Sequence, residues 1–127
     1  MQKPTESQLA ILAILWRRGP SPVRVVNELL NEQGGKSVSY TGTLKLMQLM
    51  HQDGLLSRDE SSRTHVYEPA VEESVVQQSV LKRMADTLFR GSATNLVLQA
   101  LGSSHTSAED LEAIKRMIEA KEKERES

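Results

Sequence analysis

The sequence predicts a mainly α-helical protein with one small β-hairpin. Only 3% of the 127 residues are aromatic, which disfavours a β-sandwich. Leucine, methionine, valine and alanine dominate the apolar residues, and they recur at helical spacing in several segments. One polar stretch, RDESSRTHVYEP at residues 58–69, carries strand formers near its end and interrupts the helical pattern. We therefore expect helices on both sides of a short charged hairpin.

The composition excludes several classes of protein. The absence of cysteine rules out disulfides, cysteine nucleophiles and metal or copper sensing through thiolates. The longest apolar run, residues 9–16, is far shorter than the roughly 20 residues of a membrane span, and no signal-peptide pattern precedes it. We therefore expect a cytoplasmic protein. Because the net charge is −1, a DNA-binding surface would have to be a local concentration of positive charge.

Capping signals mark the first two helices. Thr5 and Gln8 form a capping-box pattern that predicts the first helix start. The apolar residues that follow at i, i+3, i+4 and i+7 are Leu9, Leu12, Ala13 and Trp16. Further isoleucines and leucines widen this stripe, so the helix should be buried on most sides. The second helix is predicted to have Ser21 as its cap and Pro22 as its first residue, and to end at Gly34.

A third helix and a hairpin are predicted next. The helix should start near Ser39 and end at Gly54, a residue suited to a left-handed C-terminal cap. Its apolar stripe consists of Thr43, Leu46, Met47 and Met50. Its opposite, polar face consists of Thr41, Lys45, Gln48 and Gln52. Two short strands are predicted at about 55–58 and 64–68, and either Val66 or Tyr67 could face inward.

The composition changes after Pro69, where three more helices are predicted. The first covers residues 72–89, Gly91 stops it, and Ser92 caps the short apolar helix that follows. Ser107 caps the last one. Residues 71–127 are too few and too apolar to form a closed core of their own, which suggests that a second copy completes the core. We therefore predict two domains, one at 1–70 and a helical dimerisation domain at 71–127.

Three helices followed by a hairpin is the element order of a winged helix-turn-helix, so we predict that residues 1–70 form a winged-helix DNA-binding domain. In such proteins the third helix enters the major groove of DNA and the hairpin, or wing, reaches phosphates. Hydroxyl groups can bind phosphates or base edges, and lysine can reach guanine acceptors. The candidate DNA-binding residues on the helix are Ser39, Tyr40, Thr41, Gly42, Lys45 and Gln48. Those on the wing are Arg58, Arg63 and His65.

Two other functions fit the same pattern. The chain could be a ligand-responsive winged-helix regulator with a small-molecule pocket, or a winged-helix protein-interaction module without DNA binding. An enzyme is not expected, because the chain has neither a nucleophile motif nor a glycine-rich phosphate loop. Its three histidines lack metal-ligand spacing, so neither a metal nor another cofactor is expected.

Three stretches of the sequence resemble the BlaI/MecI penicillinase-repressor family. They read PTESQLAILAILWRRGPSPVRVVNEL, YTGTLKLMQLMHQDGLLSRDESSRTHVYEP and LFRGSATNLVLQAL. The resemblance covers about residues 4 to 119. Its most specific parts are the wing pattern R-D-E-S-x-R-x-H-V-Y-x-P and the corner L-F-x-G-S.

The resemblance implies a homodimeric transcriptional repressor that binds an inverted-repeat operator through its amino-terminal domain. In several systems of the family, linked to antibiotic resistance, a membrane-bound sensor protease detects the antibiotic and leads to cleavage in the dimerisation domain. Well-known members are cut between an Asn and a Phe, a pair that is absent from residues 98–101 here. The family often has Thr where this chain has Gly42. The implied dimer core consists of Leu81, Met84, Leu88, Phe89, Leu96, Leu98 and Leu101.

Overall fold

The computed structural model describes residues 4–126 and contains six helices and one two-stranded antiparallel sheet in that range. The elements are α1 (Glu6–Arg18), α2 (Val23–Glu32), α3 (Tyr40–Gln52), β1 (Leu56–Asp59), β2 (Val66–Pro69), α4 (Glu73–Leu88), α5 (Ala93–Ser103) and α6 (Ala108–Glu126). This confirms the predicted fold class. Residue contacts divide the chain into two compact units, Met1–Val80 and Leu81–Ser127, and the division falls within α4.

The start of α1 confirms the predicted capping box. The Thr5 hydroxyl accepts a hydrogen bond from the Gln8 backbone N–H at 3.2 Å, and the Gln8 side chain accepts one from the Thr5 N–H at 2.9 Å. The predicted apolar stripe is partly wrong, because Ala13 is exposed. The helix packs against both α2 and β2, so it buries a broader face than a single stripe. That face consists of Ile11, Leu12, Ile14 and Leu15.

The predicted role of Ser21 as a helix cap is wrong. The Ser21 backbone pairs instead with Tyr67 in β2, through N–H to O bonds of 3.0 and 2.9 Å in the two directions. Its hydroxyl donates to the carbonyl oxygen of Gly19 at 3.0 Å. Pro22 therefore takes the capping position of α2, and no side chain caps that helix. The backbone hydrogen bonds between Ser21 and Tyr67 cause this arrangement, and they join residues that are far apart in the chain.

Both predicted ends of α3 are confirmed. The Ser39 hydroxyl accepts a hydrogen bond from the Gly42 N–H at 3.0 Å. At the other end, Gly54 has a φ of 82°, a left-handed conformation that glycine adopts without steric cost. The Leu55 N–H then bonds to the Met50 carbonyl at 2.9 Å and closes the helix end. The chain thereby turns directly from α3 into β1.

The hairpin register decides which wing residue faces the core. Leu56 pairs with Pro69 and Arg58 with Tyr67, so the strands begin one or two residues later than predicted. Tyr67 is only 2% exposed, whereas Val66 is half-buried. The inward residue is therefore Tyr67, and the side chains of Leu56 and Arg58 share its face.

The core of the first unit lies between α1, α2, α3 and the hairpin. Its buried residues are Ile11, Leu12, Ile14, Leu15, Val23, Val26, Met47, Met50, Leu55, Leu56 and Tyr67. Trp16 packs at the edge of this core, and its indole N–H donates to the Val71 carbonyl at 3.1 Å. Met47 and Met50 are core residues, as the spacing of the third helix predicted. No helix within residues 4–126 is long and apolar enough to cross a membrane.

The second unit has almost no buried surface of its own. Among residues 81–126, Ala85 is the one buried side chain, and α5 and α6 contain none. The predicted helix boundaries are confirmed: Gly91 has a φ of 82°, and the Ser92 and Ser107 hydroxyls cap α5 and α6 through bonds of 3.0 Å. These helices are thus well defined locally, while their apolar side chains stay largely uncovered.

Candidate nucleic-acid interface

One face of α3 is free of protein contacts, and it is the polar face that the sequence predicted. Thr41, Lys45 and Gln48 are exposed, while Met47 and Met50 on the opposite face are fully buried. Tyr40, the first residue of the helix, is 48% exposed. The helix therefore presents hydroxyl, amide and ammonium groups to solvent, and these are groups that can hydrogen-bond to base edges.

Two asparagines of α2 hold the turn that leads into α3. The Asn27 amide donates to the Val38 carbonyl and to the hydroxyl of the buried Thr43, both at 2.9 Å. The Asn31 side chain accepts from the Val38 N–H at 2.7 Å and donates to its carbonyl at 3.1 Å. We call these four hydrogen bonds the clamp. They were not predicted from the sequence, although Asn27 and Asn31 lie one helical turn apart on α2. The clamp positions the start of α3.

The absence of a side chain at Gly42 avoids a close contact within the start of α3. A Cβ atom at this position would lie 3.1 Å from the Ser39 hydroxyl oxygen, which is tighter than an ordinary contact. With glycine here, the Ser39 hydroxyl caps α3 without having to shift away from a Cβ atom. Close approach of DNA to this glycine stays a prediction.

On the wing, Arg58 is partly engaged by protein groups. Its guanidinium lies 5.8 Å from the centre of the Tyr67 ring and donates to the Tyr67 hydroxyl at 3.4 Å. It also pairs with Glu60 at 3.1 Å, and its side chain is only 20% exposed. Arg63, by contrast, is exposed on the loop between the strands. The two arginines of the wing therefore occupy different environments.

A groove of about 500 Å³ lies between the start of α2, the exposed side of α3 and the wing; we refer to it as the wing groove. Four of the predicted DNA-binding residues line it, namely Tyr40, Gln48, Arg63 and His65. The other five lie outside its lining, namely Ser39, Thr41, Gly42, Lys45 and Arg58. Helix and wing residues that are distant in sequence thus meet at one concave surface.

Within residues 4–126, no three His, Asp or Glu side chains come close enough together to hold a metal ion. The interface consists instead of hydroxyl, amide and cationic side chains around a helix and a hairpin, which are the groups that proteins use to bind nucleic acid.

Comparison with known proteins supports the same reading. No curated protein matches the chain. Among solved structures, a MarR family protein from Bacillus stearothermophilus is similar over 99% of this chain and 78% of that chain, with a TM-score of 0.54 and 17% sequence identity. At this identity the similarity concerns the fold, and the fold is a winged helix. The model of the family described as penicillinase repressor matches residues 4–120. Because this match spans nearly the whole sequence, the chain belongs to the penicillinase repressor family and is a DNA-binding transcriptional repressor.

Proposed function

We propose that the protein is a homodimeric repressor that binds an inverted-repeat operator. Residues 1–70 would read one half-site, with the amino-terminal part of α3 in the major groove and the wing on the phosphate backbone. Residues 71–127 would hold the two copies together. A dimer over a promoter would block transcription.

The observation that carries the dimer is the uncovered apolar surface of the second unit. Leu81 is 51% exposed, Leu98 60% and Leu88 70%. Leu88, Phe89 and Leu98 also line an open groove of about 820 Å³ within this unit. Large apolar side chains exposed in this number favour an interaction site, and a second copy would cover them symmetrically. The proposed dimer residues are Leu81, Met84, Leu88, Phe89, Leu96, Leu98 and Leu101.

Dimerisation explains how a chain with a net charge of −1 could bind DNA tightly. One winged-helix domain makes few phosphate contacts and binds weakly on its own. When two domains are joined, the second half-site is reached at a high effective concentration, of millimolar order for a short link. Half-sites should lie about 10 base pairs or a multiple of this apart, centre to centre.

Selection of bound sites from random duplex DNA tests this proposal. We expect an inverted repeat with that spacing and an affinity that falls as salt rises. The dimer should appear in sedimentation at micromolar concentration. Indifference to duplex DNA at low salt would instead favour a protein-interaction module. Thermal stabilisation by small apolar compounds, with loss of DNA binding, would favour a ligand-responsive regulator.

We further propose that cleavage in the dimerisation domain relieves repression. Residues 98–101 lie inside α5, which has no buried residue within one chain, so local opening of this helix should cost little free energy in a dissociated protomer. A membrane-bound sensor protease would be the partner that initiates the cut. Mass spectrometry of the repressor from antibiotic-treated cells should reveal a fragment that ends within α5. A chain that stays intact while repression is lifted would contradict this route.

A further inference from the structure

Arg58 lies on the core-facing side of the hairpin. In the register of β1 and β2 it stands directly opposite Tyr67, so the two side chains share one face. The guanidinium lies 5.8 Å from the centre of the buried Tyr67 ring, and only 20% of the Arg58 side chain is exposed. A cation is attracted to the face of an aromatic ring, which favours this inward position.

The N–H groups of Arg58 are poorly placed to bind a phosphate. Nη1 donates to the Tyr67 hydroxyl at 3.4 Å, and Nη2 donates to the Glu60 carboxylate at 3.1 Å. Nε is shielded from solvent and has no hydrogen-bond partner among residues 4–126. A guanidinium binds phosphate through two parallel N–H groups, which come either from Nε and one Nη or from both Nη atoms. Here Nε is closed to an incoming phosphate, and at Nη2 the phosphate would compete with a carboxylate of the same charge.

Glu60 connects Arg58 to the loop that joins the two strands. We refer to this loop, residues 60–65, as the wing loop. Glu60 is its first residue and is bonded to Arg58, which is in turn bonded to the buried Tyr67. The start of the wing loop is thereby tied to the core of the first unit. This tie accounts for an acidic side chain on a proposed DNA contact, where its charge alone would oppose binding.

Two further hydrogen bonds shape the rest of the wing loop. The Asp59 carboxylate accepts one from the Ser61 N–H at 2.9 Å, and the Ser62 hydroxyl donates one to the Thr64 carbonyl at 2.8 Å. Arg63 lies between Ser62 and Thr64 in the chain and is exposed. This exposed cation therefore belongs to a loop whose shape is set by bonds within the hairpin.

We propose that Arg58 and Glu60 are positioning residues, which order the wing loop so that Arg63 meets the DNA backbone. This inference rests on the proposed function, because it concerns DNA bound by α3 and the wing. It gives Arg58 a role other than the direct DNA contact that the sequence predicts. A loop that is ordered before binding loses less conformational freedom in the complex, so binding is tighter.

A double-mutant cycle tests whether Arg58 acts through Arg63. Arg58→Gln and Glu60→Gln together remove the ion pair without changing the net charge, and we call this the pair-removed variant. It should bind operator and random duplexes roughly two- to tenfold more weakly, because the cost of ordering the loop returns. Arg63→Ala should lower the slope of log affinity against log salt by about 0.9 per protomer in the wild type, and by clearly less in the pair-removed variant.

A direct phosphate contact from Arg58 would give a different result. The pair-removed variant would then lose about 0.9 of the slope per protomer by itself, and Arg63→Ala would remove the same amount again. The control combines Lys121→Gln with Glu124→Gln, which removes an exposed ion pair of α6 without changing the net charge. The affinity of this control, and its response to Arg63→Ala, should equal those of the wild type.

The order of the wing loop is measured in the free protein, independently of DNA. Backbone NMR order parameters of residues 60–65 should fall in the pair-removed variant, while those of α1 to α3 should stay unchanged. Glu60→Gln alone should also lower them. Because the Glu60 side chain is 53% exposed, this single variant serves if the pair-removed variant unfolds.

Failure of this inference is distinguishable from failure of the proposed function. If the wild type binds duplex DNA but the two slope losses add, the inference fails alone. It also fails alone if the pair-removed variant binds as tightly as the wild type, or if its wing loop is equally ordered. If the wild type shows no salt-dependent affinity for duplex DNA, the proposed function fails and the inference with it.

Discussion

At the scale of single residues, the buried Tyr67 determines which wing side chains face the core and which face solvent. Its ring is buried against the core, and the register sets Arg58 on the same face. The Arg58 guanidinium therefore lies over the Tyr67 ring and forms an ion pair with Glu60, whereas Arg63 remains on the exposed loop. A register slip by one residue would exchange these faces. The wing cation with the greatest freedom to meet a phosphate is Arg63.

Lys45→Ala and Arg63→Ala form a matched pair, since each removes one exposed cation. Lys45→Ala should reduce discrimination between operator and random DNA by about 1–3 kcal/mol, because we propose that Lys45 faces base edges. Arg63→Ala should weaken both duplexes alike and lower the salt slope by about 0.9 per protomer, because we propose that Arg63 faces phosphate. Fluorescence anisotropy over a salt series measures both quantities. Equal effects of the two changes on discrimination would contradict the assignment of helix and wing.

Asp59 provides a pH-dependent contact at the wing. Hydrogen bonds from the Ser61 hydroxyl and the Ser61 backbone N–H, the latter at 2.9 Å, lower the pKa of Asp59 below its ordinary value of 3.8. A lowered pKa means that the contact is fully present above pH 3.8 and is lost as pH falls through the folded pKa. The Ser61 amide signal should therefore titrate below pH 3.8 in NMR spectra. Ser61→Ala should move the midpoint upward, and a wild-type midpoint at or above 3.8 would refute the contact.

At the scale of elements, the orientation of α3 depends on side chains of α2. The turn between these helices contains Gly34 and Gly35, both with a φ of 83°. Because glycine has access to many backbone conformations, the backbone by itself does not hold this turn in one geometry. Asn27 and Asn31 add four hydrogen bonds at the end of this turn. Side chains of α2 thus support α3 in addition to the core.

Asn27→Ala should destabilise the first unit by about 1–3 kcal/mol, because it removes the Asn27 hydrogen bond to the buried Thr43 hydroxyl and one of the two side-chain hydrogen bonds to the Val38 carbonyl. Urea unfolding followed by far-UV circular dichroism measures this loss. The control is Gln52→Ala, on the exposed face of the same helix that the clamp supports. Operator affinity of Asn27→Ala should fall at salt concentrations where the protein remains folded. An unchanged unfolding midpoint would show that the clamp is not stabilising.

At the scale of the whole molecule, two features account for the proposed repressor. Arg63 and His65 of the wing line the wing groove together with the start of α2, although the net charge is −1. Apolar groups are exposed on the second unit, whose α5 and α6 contain no buried residue. The first feature would provide weak attachment to DNA, and the second would join two such attachments into one binding event.

Leu88→Asp should convert a dimer into a monomer and strongly weaken operator binding, because a charge on an apolar interface is costly to bury. Leu81→Asp should act in the same way. Both side chains are exposed within one chain, so the helical content should be unchanged. Val75→Asp is the control, since Val75 is exposed on the same helix but points away from Met84. Sedimentation and a gel shift measure the outcome, and a Leu88→Asp monomer that binds operator tightly would overturn the dimer proposal.

The sequence by itself determined the elements whose signals are local: the capping box at Thr5, the cap at Ser39 and the left-handed glycine at Gly54. It also determined the exposed polar face of α3, because helical periodicity assigns faces without knowledge of the neighbours. Only the tertiary structure decided that Ser21 pairs with Tyr67, that Arg58 is held by the hairpin, and that Asn27 clamps the turn. These contacts join residues distant in the chain, so their geometry depends on how helices and hairpin pack, which no local pattern encodes.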